Sequence, residues 1–282
     1  MIASFLASWG LFQHTYLVGW LIGVLLSLVG VLVVARDQIF IGVAVSQAST
    51  LGIALGLSLS AVFGTEGVAW LASESFLSLM AVGFAILAAL LTTRGGAGGG
   101  ESHEARTGWV FLLSASVSIL LVAHSPHGLD EIRRLLSSSI IGATVADLWT
   151  FSLLTGVTLL AIGVVHQRVL LLAMDPAMAS AVGMRVSLWS GGIAIWLGLA
   201  VGLSMRVSGL LYTFGSLVLP ALVAKNLCRE VGSVFLVAPF IALGTGAVGF
   251  VLANYYDYPP AQMTVAVLSL LLLLAWIIRR RR

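Results

Sequence analysis

The chain has 282 residues, of which 60% are hydrophobic and only 9% charged, with a mean hydropathy of +1.09 and a formal charge of +3. A soluble domain of this size carries about a quarter charged residues, so this composition excludes the ordinary soluble classes. Runs of roughly 20 apolar residues recur from end to end, each long enough to span a bilayer. They lack the alternation of a membrane barrel strand. The expected fold class is all-α: a polytopic transmembrane helical bundle forming one domain over residues 1–282.

In chain order, the hydrophobic segments fall at about 13–35, 39–63, 68–93, 108–124, 148–166, 186–206, 208–226, 233–254 and 260–278, which gives about eight or nine spans. The first stretch lacks the basic region of a secretory signal peptide, since the first arginine is Arg36. The sixth and seventh segments together are too long for one crossing, and "MRVSG" (Met205–Gly209) offers the only turn between them. The seventh also carries Gly215 and Pro220, which fit a broken or re-entrant helix. The single cysteine, Cys228, excludes an internal disulfide.

Basic residues orient the bundle. With the N-terminus outside, Arg36, Arg94, Arg106, Arg168, Arg185, Lys225, Arg229 and Arg279–Arg282 lie on the inner side, and Arg133, Arg134 and Arg206 lie outside. The positive-inside rule then favours an N-out, C-in chain in a cell (inner) membrane. The basic end at Arg279–Arg282 reads as a topology anchor in contact with lipid headgroups, not as a nucleic-acid site.

Two connections are long. The inner loop at about 94–107 is Gly-rich and reads as a linker. It is not a phosphate loop, because that motif ends in Gly-Lys-Ser/Thr and the only lysine, Lys225, follows Ala224. Any ATP used must bind another polypeptide. The outer loop at about 125–147 begins beside His124 and His127. With Asp130 and Glu131, these two are candidate ligands for a divalent metal near an entrance, against the plainer reading of a solvated loop.

The second segment contains "FIGVAVSQASTLGIALG" (Phe40–Gly56). At about 100° per residue, Ala44, Ala48, Gly52 and Gly56 form one smooth stripe, suited to close helix packing. Val43, Ser46, Gln47 and Thr50 form the other stripe. A polar stripe in a membrane belongs toward the protein interior, where it either bonds neighbouring helices or lines a transport path.

"VVARDQIFIGVAVSQASTLGIALGL" resembles the first inner loop and second helix of the ABC-3 metal-ion permeases, the membrane subunits of zinc and manganese ABC importers. "SSSIIGATVADL" (Ser137–Leu148), "LAMDPAMASAVGMRV" (Leu172–Val186) and "SGLLYTFGSLVLPALVAKNL" (Ser208–Leu227) resemble three further segments of that family, in family order. The resemblance implies a dimeric permease with a cytoplasmic ABC ATPase and an extracytoplasmic substrate-binding protein as partners. It implies no cofactor on this chain, with ATP on the partner ATPase. It also implies coupling to that ATPase through the inner segment at about 167–185, at Asp175, Pro176, Ala179 and Gly183. One departure stands out. The family's Asp and His, one turn apart on the second helix, are here Val43 and Gln47. Val offers no lone pair and a neutral amide is a poor zinc ligand. Two alternatives therefore stand beside a metal importer: the ligand-poor half of a heterodimer, and a permease for a non-metal substrate. An ATP-independent carrier or an intramembrane enzyme is a more distant reading, since no deep cluster of titratable groups is present.

Overall fold

The structure, a computed structural model, describes residues 2–63, 70, 73–93, 102–123 and 140–280. Its helices are α1 (Ile2–Ala35), α2 (Ile41–Phe63), α3 (Glu74–Thr93), α4 (His103–Ala123), α5 (Val145–Met174), the short α6 (Pro176–Ala181), α7 (Val186–Leu227), α8 (Val231–Tyr256) and α9 (Pro260–Arg280), with a 3₁₀ turn at Ile140–Gly142. Among the described residues there is no strand, and eight helices are long and apolar enough to cross a membrane.

The expected sixth and seventh segments appear as one helix of 42 residues, α7. At 1.5 Å per residue it would be about 63 Å long if straight, roughly twice the hydrocarbon thickness. It is not one regular helix. Gly209, at φ 73 and ψ 176, breaks the helical geometry at the end of the "MRVSG" stretch, where a turn was expected. Among the residues of α7 it is the one with non-helical backbone, so Gly215 and Pro220 do not interrupt the second half.

Several helices also outrun the apolar runs. α5 extends to Met174, past His166 and Arg168, and α4 begins at His103, inside the stretch expected to be linker. The apolar run marks what lipid requires, whereas backbone hydrogen bonding continues into the aqueous layer. Residues 94–101 and 124–139 lie outside the described residues, so His124 and His127 do too.

The chain divides into two compact units. The first comprises residues 1–37, 139–184 and 211–282, and the second 38–138 and 185–210. In the first unit, α1 is the central helix. Its Gly19 packs under Phe250, and the Tyr212 hydroxyl donates to the Gly19 carbonyl at 2.8 Å. The second half of α7 follows α1 in the same direction: Tyr212 lies beside Gly19 and Gly23, Leu217 beside Gly30, and Lys225 pairs with Asp37 at 3.2 Å. α8 runs the opposite way, with Asn254 donating to the Tyr16 hydroxyl at 3.0 Å and Ala242 facing Gly23. α9 packs along the second half of α7 through Val223, Leu272 and Ala275.

In the second unit α2 and α3 are antiparallel. A Cβ on Gly52 would strike the Met80 carbonyl, and one on Gly56 would come within 2.8 Å of Leu77. The smooth stripe is thus a helix-packing face, with Ala44 and Ala48 buried as well. The first half of α7 is antiparallel to α3: Gly198 meets the backbone of Ile86, Gly202 meets Val82, and Arg206 pairs with Glu74 at 3.5 Å.

Candidate transport face and coupling segment

The polar stripe of α2 splits into two parts. Ser46 and Thr50 are fully buried, at 0% and 2% exposure, whereas Val43 and Gln47 are half-buried. Thr50 donates to the Ser46 carbonyl one turn back at 3.2 Å, a bond within its own helix. The Ser46 hydroxyl has no hydrogen-bond partner among the described residues. The hydroxyls of Ser49, also on α2, and of Ser204, in the first half of α7, are in the same condition. A buried hydroxyl without a partner costs about 1–3 kcal/mol, and three of them in one unit are a departure from efficient packing. Ser204 was not singled out from the sequence, and Ser49 was not placed on the polar stripe. Serines are common on both faces of membrane helices, and no spacing rule tells a satisfied hydroxyl from an orphaned one. Among the described residues, no group of three or more His, Cys, Asp or Glu side chains is placed to hold a metal ion.

The four residues of the inner segment each have a local role. Asp175 caps α6, its Oδ1 accepting from the Met178 amide at 2.9 Å, and Pro176 occupies the first helical turn, where its missing N–H costs nothing. Ala179 is the buried residue of α6. Gly183, at φ 84, closes the helix: its amide reaches the Ser180 carbonyl and that of Met184 reaches the Ala179 carbonyl, both at 3.0 Å. This paired pattern needs a left-handed residue after the helix, which glycine adopts without strain. Residues 167–174 belong to α5, so the connection itself runs from Asp175. On and beside this helix, Met174, Met178 and Val182 are exposed at 65%, 52% and 65%.

The outer-segment motif also has a structural basis. Thr144 and Asp147 form a capping box at the start of α5: the Thr144 amide donates to Asp147 Oδ2 at 2.9 Å and the Asp147 amide to Thr144 Oγ1 at 3.3 Å. His14 is half-buried on α1, His166 is exposed on α5, and His103 opens α4 with Nδ1 3.3 Å from Thr107 Oγ1. The structure does not gather these histidines into one site.

A family model described as the ABC 3 transport family matches residues 8–279. The chain belongs to the ABC 3 transport family. It is 23% identical over 267 residues to the manganese import system permease protein ScaB of Streptococcus gordonii, covering 94% of this chain and 90% of that one. It is 19% identical to the manganese transport system membrane protein MntC of Listeria innocua, covering 90% of this chain and 84% of the relative. Among solved structures, PsaBC from Streptococcus pneumoniae in complex with Fab has the same fold, with a TM-score of 0.80, 19% identity and coverage of 98% of this chain and 95% of that one. As an ABC 3 permease this chain is a multi-pass transport subunit, and ATP hydrolysis resides on a separate subunit. Work with an ATPase and a substrate-binding protein follows from the family.

Proposed function

We propose that this ABC 3 permease imports a divalent metal ion, with manganese the first candidate and zinc and iron behind it. The observation that carries this reading is the near-full-length match to a manganese import permease. Two such chains would enclose a path, and the half-exposed Val43 and Gln47 on α2 are the side chains left for it to touch. An extracytoplasmic binding protein would deliver the cargo. The ATPase would carry the ATP and dock at α6, where Asp175, Pro176, Ala179 and Gly183 hold the exposed Met174, Met178 and Val182 in place.

Nine crossings, N-out and C-in, are supported by the distribution of basic residues and by the break in α7 at Gly209. The first half of α7 runs antiparallel to α3, as α2 does, while its second half runs parallel to α1. The chain passes between its two units several times, which supports their acting as one transmembrane domain.

Cells lacking the gene, compared with complemented cells under scarcity of manganese, zinc and iron in turn, test the cargo. Selective loss of one metal, restored by the gene, is expected. No change for any metal, with the complex expressed, would contradict metal import.

A second reading has its own observation. Val43 and Gln47 stand where the family's pattern has Asp and His, and neither binds a bare cation well. This favours either a heterodimer whose other permease chain supplies ligands, or a cargo other than a free metal ion. His124 and His127 remain candidate ligands under the first reading.

A further inference from the structure

At the end of the first unit where α7 and α9 both finish, an open cleft of about 630 Å³ is lined by Asn226, Leu273, Trp276, Ile277, Arg279 and Arg280. Its wall is apolar and its rim is basic. Leu273, Trp276 and Ile277 are exposed at 51%, 52% and 44%, on the last turns of a membrane-spanning helix. One rim side chain is held in place: Arg279 donates to Asn226 Oδ1 at 2.9 Å. The amide is itself fixed, because Asn226 Nδ2 donates to the Leu222 carbonyl at 2.8 Å, leaving the oxygen for Arg279.

The contrast with the neighbouring cation matters. Lys225, one residue before Asn226, is paired with the Asp37 carboxylate. Arg279 is held by a neutral group, which orients the guanidinium without cancelling its charge. Arg280 adds a second cation to the same cleft. The negative ends of two helices lie here and would oppose an anion. Two full charges outweigh the partial charges at the helix ends.

We propose that this cleft is a binding site for one anionic phospholipid, with its phosphate between Arg279 and Arg280 and an acyl chain along Leu273 and Ile277. Charge complementarity selects the headgroup, and the apolar wall selects a lipid over a soluble anion. The indole of Trp276 belongs at the level where chain gives way to headgroup. Basic pockets between helices at a membrane surface recognise acidic headgroups in this way. The site is independent of the cargo.

The test uses the full chain co-purified with its ATPase, equilibrated with equal amounts of phosphatidylglycerol and phosphatidylcholine, with retained lipid counted by native mass spectrometry. The native complex should retain phosphatidylglycerol preferentially. The double variant Arg279→Gln/Arg280→Gln should lose about tenfold of that preference. The double variant Arg168→Gln/Arg229→Gln should keep it within about twofold, being a change of equal charge at exposed residues that do not line the cleft. Equal loss in both double variants would mean general attraction to basic side chains and would overturn the site. So would displacement of the lipid by inorganic phosphate, or loss of the ATPase with no change in lipid preference. As a second readout, brominated phosphatidylglycerol should quench less fluorescence in Trp276→Phe than in the native chain. Identical quenching would also count against the proposal.

Discussion

Gly30 of α1 lies directly against the carbonyl of Leu217 in the second half of α7, so close that a Cβ at Gly30 would overlap the carbonyl oxygen. The obstacle is backbone, so no rotamer change relieves it. Gly30→Ala must push two buried helices apart, and overpacking of this kind costs about 1–3 kcal/mol or more. Thermal unfolding in detergent should show a clear drop in Tm. Gly163→Ala is the control: a Cβ there meets nothing within 4 Å, and alanine favours a helix over glycine by up to about 1 kcal/mol.

Gly209 is constrained by conformation, not by space. Its φ of 73 and ψ of 176 fall in a region essentially restricted to glycine. Gly209→Ala should cost about 1–3 kcal/mol, read as lowered Tm and reduced yield of folded protein. Gly191→Ala, in the same helix with open space around it, should be neutral or mildly stabilising.

The proposed pair of crossings in α7, divided at Gly209, also predicts labelling. A single cysteine placed at Arg206 in a Cys228→Ser background should react with an impermeant thiol reagent from outside, and one placed at Arg229 should react only after the membrane is opened. Reaction of both from the same side would mean that α7 crosses once.

Met178 tests the docking surface. It is 52% exposed and occupies the third position of α6, where Glu is favourable both for the capping arrangement and for the helix dipole. Met178→Glu should therefore leave the permease folded, with unchanged Tm, while co-purification of the ATPase falls several-fold. Full retention of the ATPase would move the docking surface away from α6.

Much of this was legible in the sequence. The stripe of Ala44, Ala48, Gly52 and Gly56 announced a close helix contact, because only small residues permit one. Asp175, Pro176 and Gly183 marked both ends of α6, because capping and left-handed closure each demand particular residue types. The length of α5 was not legible, since hydropathy reports where lipid ends and not where hydrogen bonding does. The three orphaned hydroxyls at Ser46, Ser49 and Ser204 were equally hidden, because satisfaction depends on neighbours from elsewhere in the chain. Nor did the sequence show that Asn226 orients Arg279, a contact between residues 53 positions apart.

The central claim is that the polar face of α2 serves transport and not stability. Gln47 is the sharpest probe, since its side chain is half-buried on that face, whereas Ser46 is fully buried and its hydroxyl has no partner among the described residues. The deciding measurement is ATP-driven manganese uptake into vesicles holding the complete complex, with Tm recorded on the same preparations, for the native chain, Ser46→Ala and Gln47→Asn. The account predicts uptake reduced several-fold in Gln47→Asn with the ATPase still bound, and an unchanged or higher Tm for Ser46→Ala. Uptake at the native rate in Gln47→Asn would contradict it.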